Sequence, residues 1–222
     1  MSNYSTESSS RAVRDILVAL GLEEEALAAA ENAGIAETLS SRPSSIDDIF
    51  GHVLHIAENY GVTARAEVLV EELKERTEII RHKLKFVEDR PSVVCITGLS
   101  PLETNGGIIA ELISIAGGKP VGRQGGLWYD VLESLEPEVI LIAVPGNTVE
   151  MTVREINFLF GLDGWNDLPA VKNNRVYILD GKKYIHLLSP AIIDSLEMLA
   201  EIIQPKQFIF GFEGEAWVKF GV

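Results

Sequence analysis

The sequence predicts an α/β protein: a three-layer αβα lobe on a mostly parallel sheet, preceded by a long linker helix and a reduced, helical N-terminal portion. Three observations predict it. Residues 92–99 (SVVCITGL), apolar but for Ser92 and Thr97, and 139–144 (VILIAV), apolar throughout, read as strands buried on both faces. Helical patterns separate these strands and a third at 176–179, which is the alternation of a parallel sheet covered by helices. Ahead of them runs 63–89, with no Gly or Pro and rich in Ala, Leu, Glu, Lys and Arg, the better helix formers.

Taken in order, the Ser-rich residues 1–10 read as loose or as a local cap. Residues 11–20 form an amphipathic helix ended by Gly21, and 23–33 a second ended by Gly34. Residues 35–40 suit a short strand. After Arg42 and Pro43, Ser44 and Ser45 cap a helix over 46–60, with Asp47 and Asp48 in the first turn where the helix dipole favours them. His52 and His55 stand three apart on it, a spacing that can bind a metal, but no third ligand is nearby.

The long helix starts at Thr63 as N-cap and carries Val68, Leu69, Leu73, Ile79, Ile80 and Leu84 as its apolar side. Pro91 is its expected terminator. At 1.5 Å per residue it would be about 40 Å long, enough to link two bodies.

Beyond the first strand come a loop over 100–107, a helix over 108–116 closed by Gly117 and Gly118, a Gly-rich connection over 121–126 and a short helix over 127–135. The strand at 139–144 ends at Pro145, Gly146 and Asn147, and 148–160 is helical. A connection over 161–174 leads to the third strand, and 190–203 is a last helix capped by Ser189. Ligands on such sheets bind beyond the carboxyl ends of the strands, here 100–107, 145–147 and 181–188.

Composition narrows the function. A net charge of −14 argues against a nucleic-acid groove and against anionic lipid. The single cysteine, Cys95, lies inside an apolar strand and reads as a buried small hydrophobe. No stretch reaches the roughly 20 apolar residues of a membrane span, and the N-terminus has no signal-peptide core. As written the chain is expected to be cytoplasmic, or extracytoplasmic if trimmed from a longer precursor. Neither a nucleophile elbow nor a phosphate loop is present, so no catalytic residues are assigned and no enzyme is expected.

The suggestive residues line the expected ligand side. Trp128 and Tyr129 follow the Gly-rich connection, while Tyr184 and His186 lie past the third strand beside Lys182 and Lys183. Trp and Tyr offer broad flat faces to a large planar ligand. Asn147 and Glu103 occupy two of the three ligand-side loops. Trp165, by contrast, reads as core.

Several stretches resemble one family. Residues 111–118 (ELISIAGG), 135–142 (LEPEVILI), 42–49 (RPSSIDDI) and above all 164–177 (GWNDLPAVKNNRVY), in that order after a long helix, resemble the substrate-binding proteins of cobalamin and ferric-siderophore ABC importers. The ending, with Trp217, resembles the cobalamin-binding branch without a signal peptide. The resemblance implies two α/β lobes joined by the long helix, the ligand held between them. It divides this chain into a shortened N-terminal lobe (1–62), a linker helix (63–90) and a complete C-terminal lobe (91–222). It further implies a non-enzymatic binder of a corrinoid or ferric siderophore, with no covalent cofactor, and an ABC permease as partner. On it, Glu103 becomes a candidate for docking to that permease. Flat aromatics and a histidine, without an arginine cluster, favour a corrinoid over an anionic siderophore. The short first lobe suggests a homodimer that completes the cleft. The alternatives are a homodimeric scaffold that has lost its ligand and, more weakly, a flavin or nucleotide enzyme.

Overall fold

The computed structural model describes residues 2–25, 43–104, 106–122, 126–127, 136–185 and 188–221. The chain divides into two compact units, Met1–Glu78 with Leu187–Ile193, and Ile79–His186 with Asp194–Val222.

The first unit is helical. Helix α1 (Ser2–Ala19) begins nine residues earlier than the expected Arg11, so the Ser-rich start is helix rather than loose chain. It buries Ala12, Val13, Ile16, Leu17 and Leu20. At its end Gly21 takes a φ of 74°, and the Leu22 N–H donates back to the Leu17 carbonyl at 2.9 Å, a glycine C-terminal cap. The expected helix over 23–33 and strand over 35–40 lie almost wholly outside the described residues. Helix α2 (Ile46–Asn59) opens with a complete capping box: the Ser45 hydroxyl accepts from the Asp48 N–H, and the Asp48 side chain accepts from the Ser45 N–H. The backbone and hydroxyl of Ser44 also donate to that carboxylate and hold it below its usual range.

Helix α3 (Thr63–Lys83) is the long one, and it corrects two expectations. Its buried stripe is Ala66, Val70, Leu73, Thr77, Ile80 and Leu84, in alternating steps of four and three, while Val68 and Ile79 are 61 % and 49 % exposed. The expected apolar set mixed two faces, because a buried threonine was missed among charged residues. Thr77 is tolerated there because its hydroxyl donates to the Leu73 carbonyl at 3.0 Å. The helix also stops well before Pro91. Just past it the Lys85 N–H closes a tighter turn on the His82 carbonyl at 3.2 Å, and the Leu84 carbonyl takes the Val87 N–H at 3.1 Å and Arg90 at 3.4 Å.

The rest of the second unit is the sheet and its helices. Its strands are β1 (Ser92–Leu99), β2 (Leu102–Thr104), β3 (Lys119–Pro120), β4 (Gly126–Leu127), β5 (Val139–Ile142), β6 (Val176–Leu179) and β7 (Trp217–Lys219). The order is β4-β2-β1-β5-β6-β7, with β3 also on β1. β1, β3, β5 and β6 are parallel, and β2, β4 and β7 are antiparallel additions at the edges. The α/β class and the three central strands are those the sequence predicts.

The edges differ. The expected loop over 100–107 contains β2, and Leu127, expected to start a helix, pairs with Glu103 as part of β4. Residues 128–135 of that helix lie outside the described residues. β7 was not expected. Strands of two or three residues are too short to show an alternation, so pairing with a neighbour decides them.

Helices α4 (Ile108–Ile115), α5 (Val149–Glu155), α6 (Pro169–Lys172) and α7 (Ile192–Ile203) are the α-helices that follow α3 among the described residues. Thr148 is the cap of α5, accepting from the Met151 N–H, and the expected helix over 148–160 becomes a 3-10 helix from Ile156 to Gly161. Ser189 is not the side-chain cap of α7: its buried hydroxyl has no hydrogen-bond partner, and it is its carbonyl that takes the Ile192 N–H at 2.9 Å.

On one sheet face Val94, Ile96, Ile140, Ile142, Val176 and Ile178 pack with Ile156, Leu159, Trp165, Leu168 and Ala170. Residues facing the other way, Val93, Cys95, Val139 and Leu141, are buried too, so both faces are covered. Trp165 is core, as expected. Burial pushes the Cys95 thiol up to about 12. Native protein should therefore resist iodoacetamide at pH 8 and react fully in urea; rapid labelling of the native chain would contradict the placement of β1 in the interior.

Candidate functional site

The carboxyl ends of β1, β5 and β6 are the place to build from, because the crevice of an open parallel sheet lies there. The chain at each end is tightly laid.

At the end of β1 the chain reverses through Ser100 and Pro101 into β2. Gly98 stands opposite Glu103 in that pairing. A side chain at Gly98 would meet the Glu103 Cβ and the Pro101 carbonyl oxygen at 3.1 Å each, so glycine is what seats the half-buried Glu103. Glu103 is therefore on a strand, and its backbone is committed to β1 and β4.

At the end of β5 a turn closes by the Asn147 N–H on the Val144 carbonyl at 3.1 Å, with Gly146 at φ 84°. The Asn147 side-chain amide donates to Glu155 Oε2 at 2.9 Å.

At the end of β6, Asp180 folds its own loop. Its Oδ1 accepts from the Lys182 and Lys183 N–H groups at 2.9 and 2.8 Å. Its carbonyl accepts from Tyr184 N–H at 3.0 Å. The β5 and β6 loops are laced together: Lys182 N–H donates to the Asn147 carbonyl at 3.0 Å and Gly146 N–H to the Gly181 carbonyl at 3.4 Å. The two backbones run so close that a Cβ on Gly181 would lie 2.1 Å from the Val144 oxygen.

Tyr184 is 8 % exposed and packs edge-on against Phe212, ring centroids 6.0 Å apart. The Lys183 ammonium lies 5.4 Å from the Tyr184 centroid and 2.6 Å from Glu215 Oε1. That contact lowers the pKa of Glu215 and raises that of Lys183, concordant directions for one ion pair in solvent. Ile185 sits at φ 67°, a strained setting for a β-branched residue, with its N–H held by the buried Ser195 hydroxyl at 3.0 Å.

Of the six residues expected at the site, Trp128, Tyr129 and His186 lie outside the described residues. Glu103, Asn147 and Tyr184 each stand on a carboxyl-end connection. Asn147 and Tyr184 are joined through the Asp180–Lys182 turn, and Tyr184 turns its ring into the protein. Asp180, Gly181, Phe212 and Glu215 were missed; the Asp180-Gly181 pair is a turn signal that could have found the first two. Among the described residues no three His, Cys, Asp or Glu side chains are placed to hold a metal ion, and His52 is half-buried while His55 is exposed. No helix among the described residues is long and apolar enough to cross a membrane.

Against known proteins, a family model described as "Periplasmic binding protein" matches residues 15–182. The chain is 24 % identical over 183 residues to an uncharacterized ABC transporter substrate-binding lipoprotein, YvrC, of Bacillus subtilis (strain 168), covering 80 % of this chain and 57 % of that protein. This chain thus spans little more than half the length of that curated relative. Among solved structures, a periplasmic binding protein from Veillonella parvula superposes with a TM-score of 0.70 at 17 % identity, over 88 % of this chain and 89 % of that one. The periplasmic heme-binding protein RhuT from Roseiflexus sp. RS-1 gives 0.68 at 16 % identity, over 87 % and 95 %. These structural likenesses bear on the fold.

Proposed function

Because the chain belongs to the periplasmic binding protein family, we propose that it is a non-enzymatic, extracytoplasmic binding protein that presents a small metal chelate to an ABC permease. The observation that carries this is the laced rim at the carboxyl ends of β5 and β6, where Asn147 is bonded to Lys182 and Asp180 folds the turn under Tyr184. A rim fixed by backbone bonds can receive a rigid ligand without first paying to order itself.

The ligand class we propose is a planar metal tetrapyrrole, a heme or a corrinoid, ahead of a ferric siderophore. Trp128, Tyr129 and His186, singled out in the sequence, would supply flat faces and one imidazole, which suit a macrocycle and its metal, while the buried Tyr184 ring would back the 180–184 turn. One structural neighbour is named as heme-binding, and the curated relative as an ABC transporter lipoprotein, which supports both the ligand class and an extracytoplasmic setting. Glu103 remains the proposed contact to the permease. A second reading, a homodimeric scaffold, draws on Val18 and Val68, exposed at 49 % and 61 % on helices of the first unit.

Titration with hemin, cyanocobalamin and a panel of ferric siderophores decides, read by absorbance and calorimetry with the solution mass measured alongside. Saturable binding of hemin or the corrinoid with a Kd of about 1 μM or lower is expected. A folded chain that binds none of them removes the binding role. If its mass is that of a dimer, the scaffold reading takes its place.

A further inference from the structure

Beyond α7 the chain returns through residues 205–216 with little regular structure before entering β7. What orders it is one carboxylate. Glu201, in the last turn of α7, is 7 % exposed. Its Oε2 accepts from the consecutive N–H groups of Phe210 and Gly211, the latter at 2.6 Å. Its Oε1 accepts from the Phe212 N–H at 3.2 Å and the Trp217 indole N–H at 3.1 Å. Three successive backbone N–H groups can converge on one anion because Gly211 sits between them at φ 91°. The segment is stiffened further by ring contacts, Phe208 stacked on Phe210 at 5.6 Å and Trp217 edge-on to Tyr177 at 5.4 Å.

This strap touches the β6 turn in three places. Phe212 meets the Tyr184 ring, Glu215 holds Lys183, and the Ala216 carbonyl accepts from the Asp180 N–H at 2.8 Å. Of these, Phe212 is fixed directly by the Glu201 carboxylate. Ala216 follows it, its N–H donating to the Phe212 carbonyl at 2.9 Å.

We propose that residues 208–217 are a strap, anchored by Glu201, that sets the position of the 180–184 turn, so that Glu201 is a positioning residue for the ligand rim without touching the ligand. The effect on binding rests on the function proposed above; the effect on the turn does not. Charge and shape both matter in this role. A glutamine keeps the length but offers one acceptor oxygen and an amide group that is itself a donor, facing N–H groups that need an acceptor.

Hydrogen exchange by mass spectrometry, on wild type, Glu201→Gln and the double variant Phe212→Ala/Glu215→Gln, separates the possibilities. Glu201→Gln should speed exchange about tenfold over 208–217. It should also speed 180–184 by about threefold or more while leaving β5 at its wild-type rate. The double variant leaves Glu201 in place and removes two of the three contacts; it should loosen 180–184 to a similar extent, and it stands in if Glu201→Gln does not fold. Exchange at 180–184 unchanged in either folded variant overturns the strap. With hemin or cyanocobalamin as probe, Kd should weaken about fivefold or more in the variants. A loosened turn with an unchanged Kd overturns the positioning role. Wild type that binds neither probe removes the ligand reading alone, and the exchange comparison still decides whether the strap holds the turn.

Discussion

Trp165→Ala should lower the unfolding free energy by about 3–5 kcal/mol, the usual cost of emptying a large aromatic site in a core. Trp165 is 0 % exposed, the largest fully buried side chain among the described residues, and packs with Val94, Ile96, Ile140, Ile142, Val176 and Ile178. The site cannot collapse easily. On one side is the sheet, whose backbone is fixed by parallel pairing; on the other, the chain around Trp165 is a 3-10 turn entered through Gly164 at φ 81° and left through Pro169 at the first turn of α6. A cavity bounded by such stiff elements stays largely open, which places the expected cost in the upper part of the range. Urea unfolding checks it, with the midpoint falling and the slope unchanged if the loss lies in the native core. Phe86→Ala is the comparison. Phe86 is 84 % exposed, so the same deletion there should cost well under 1 kcal/mol. Similar losses at both positions would mean that the tryptophan is not the keystone of this face.

Trp165 also shows what the sequence could reveal. A tryptophan between Gly164 and Leu168, in a connection between two apolar strands, has nowhere to go but under the sheet, and its burial was legible. So were β1, β5 and β6, because a strand apolar on both faces has one stable home. Ser45 and Asp48 announced their helix start by residue type alone. What escaped were features that depend on a distant partner. β7 exists because Trp217 and Lys219 find Leu179 and Tyr177 across a sheet edge. Glu201 reads as one more acid on an amphipathic helix until Phe210, Gly211 and Phe212 return ten residues later to meet it. The end of α3 escaped too, because the chain already turns over 84–86, where neither Gly nor Pro stands to mark a stop. For the site, strand order alone put the connections after β1, β5 and β6 at one end of the sheet, but not that the first of them folds into β2. Tyr184 could be located but not oriented, since the direction of its ring depends on Phe212, 28 residues away.

Gly181→Ala is the substitution expected to be most damaging at the rim itself. The added methyl would lie 2.1 Å from the Val144 oxygen, 2.7 Å from its carbonyl carbon and 3.0 Å from its nitrogen, all of them backbone atoms at the end of β5. No side chain can swing aside, so the two loops must separate by about 1 Å, a shift packed interiors resist. Separation strains the two bonds that lace them, Lys182 N–H to Asn147 and Gly146 N–H to Gly181. Overpacking plus the loss of such bonds should cost about 3 kcal/mol. Gly146→Ala gives the contrast within the same pair of loops. Gly146 has φ 84° but nothing within 4 Å of an added Cβ, so its cost is conformational, about 1–2 kcal/mol. Stability should therefore fall further for Gly181→Ala, and any hemin or corrinoid affinity should fall with it, since the rim is displaced rather than merely strained. Equal stability losses from the two alanines would show that the loops yield readily, and that the lacing of β5 to β6 does not fix the rim on which the proposed function depends.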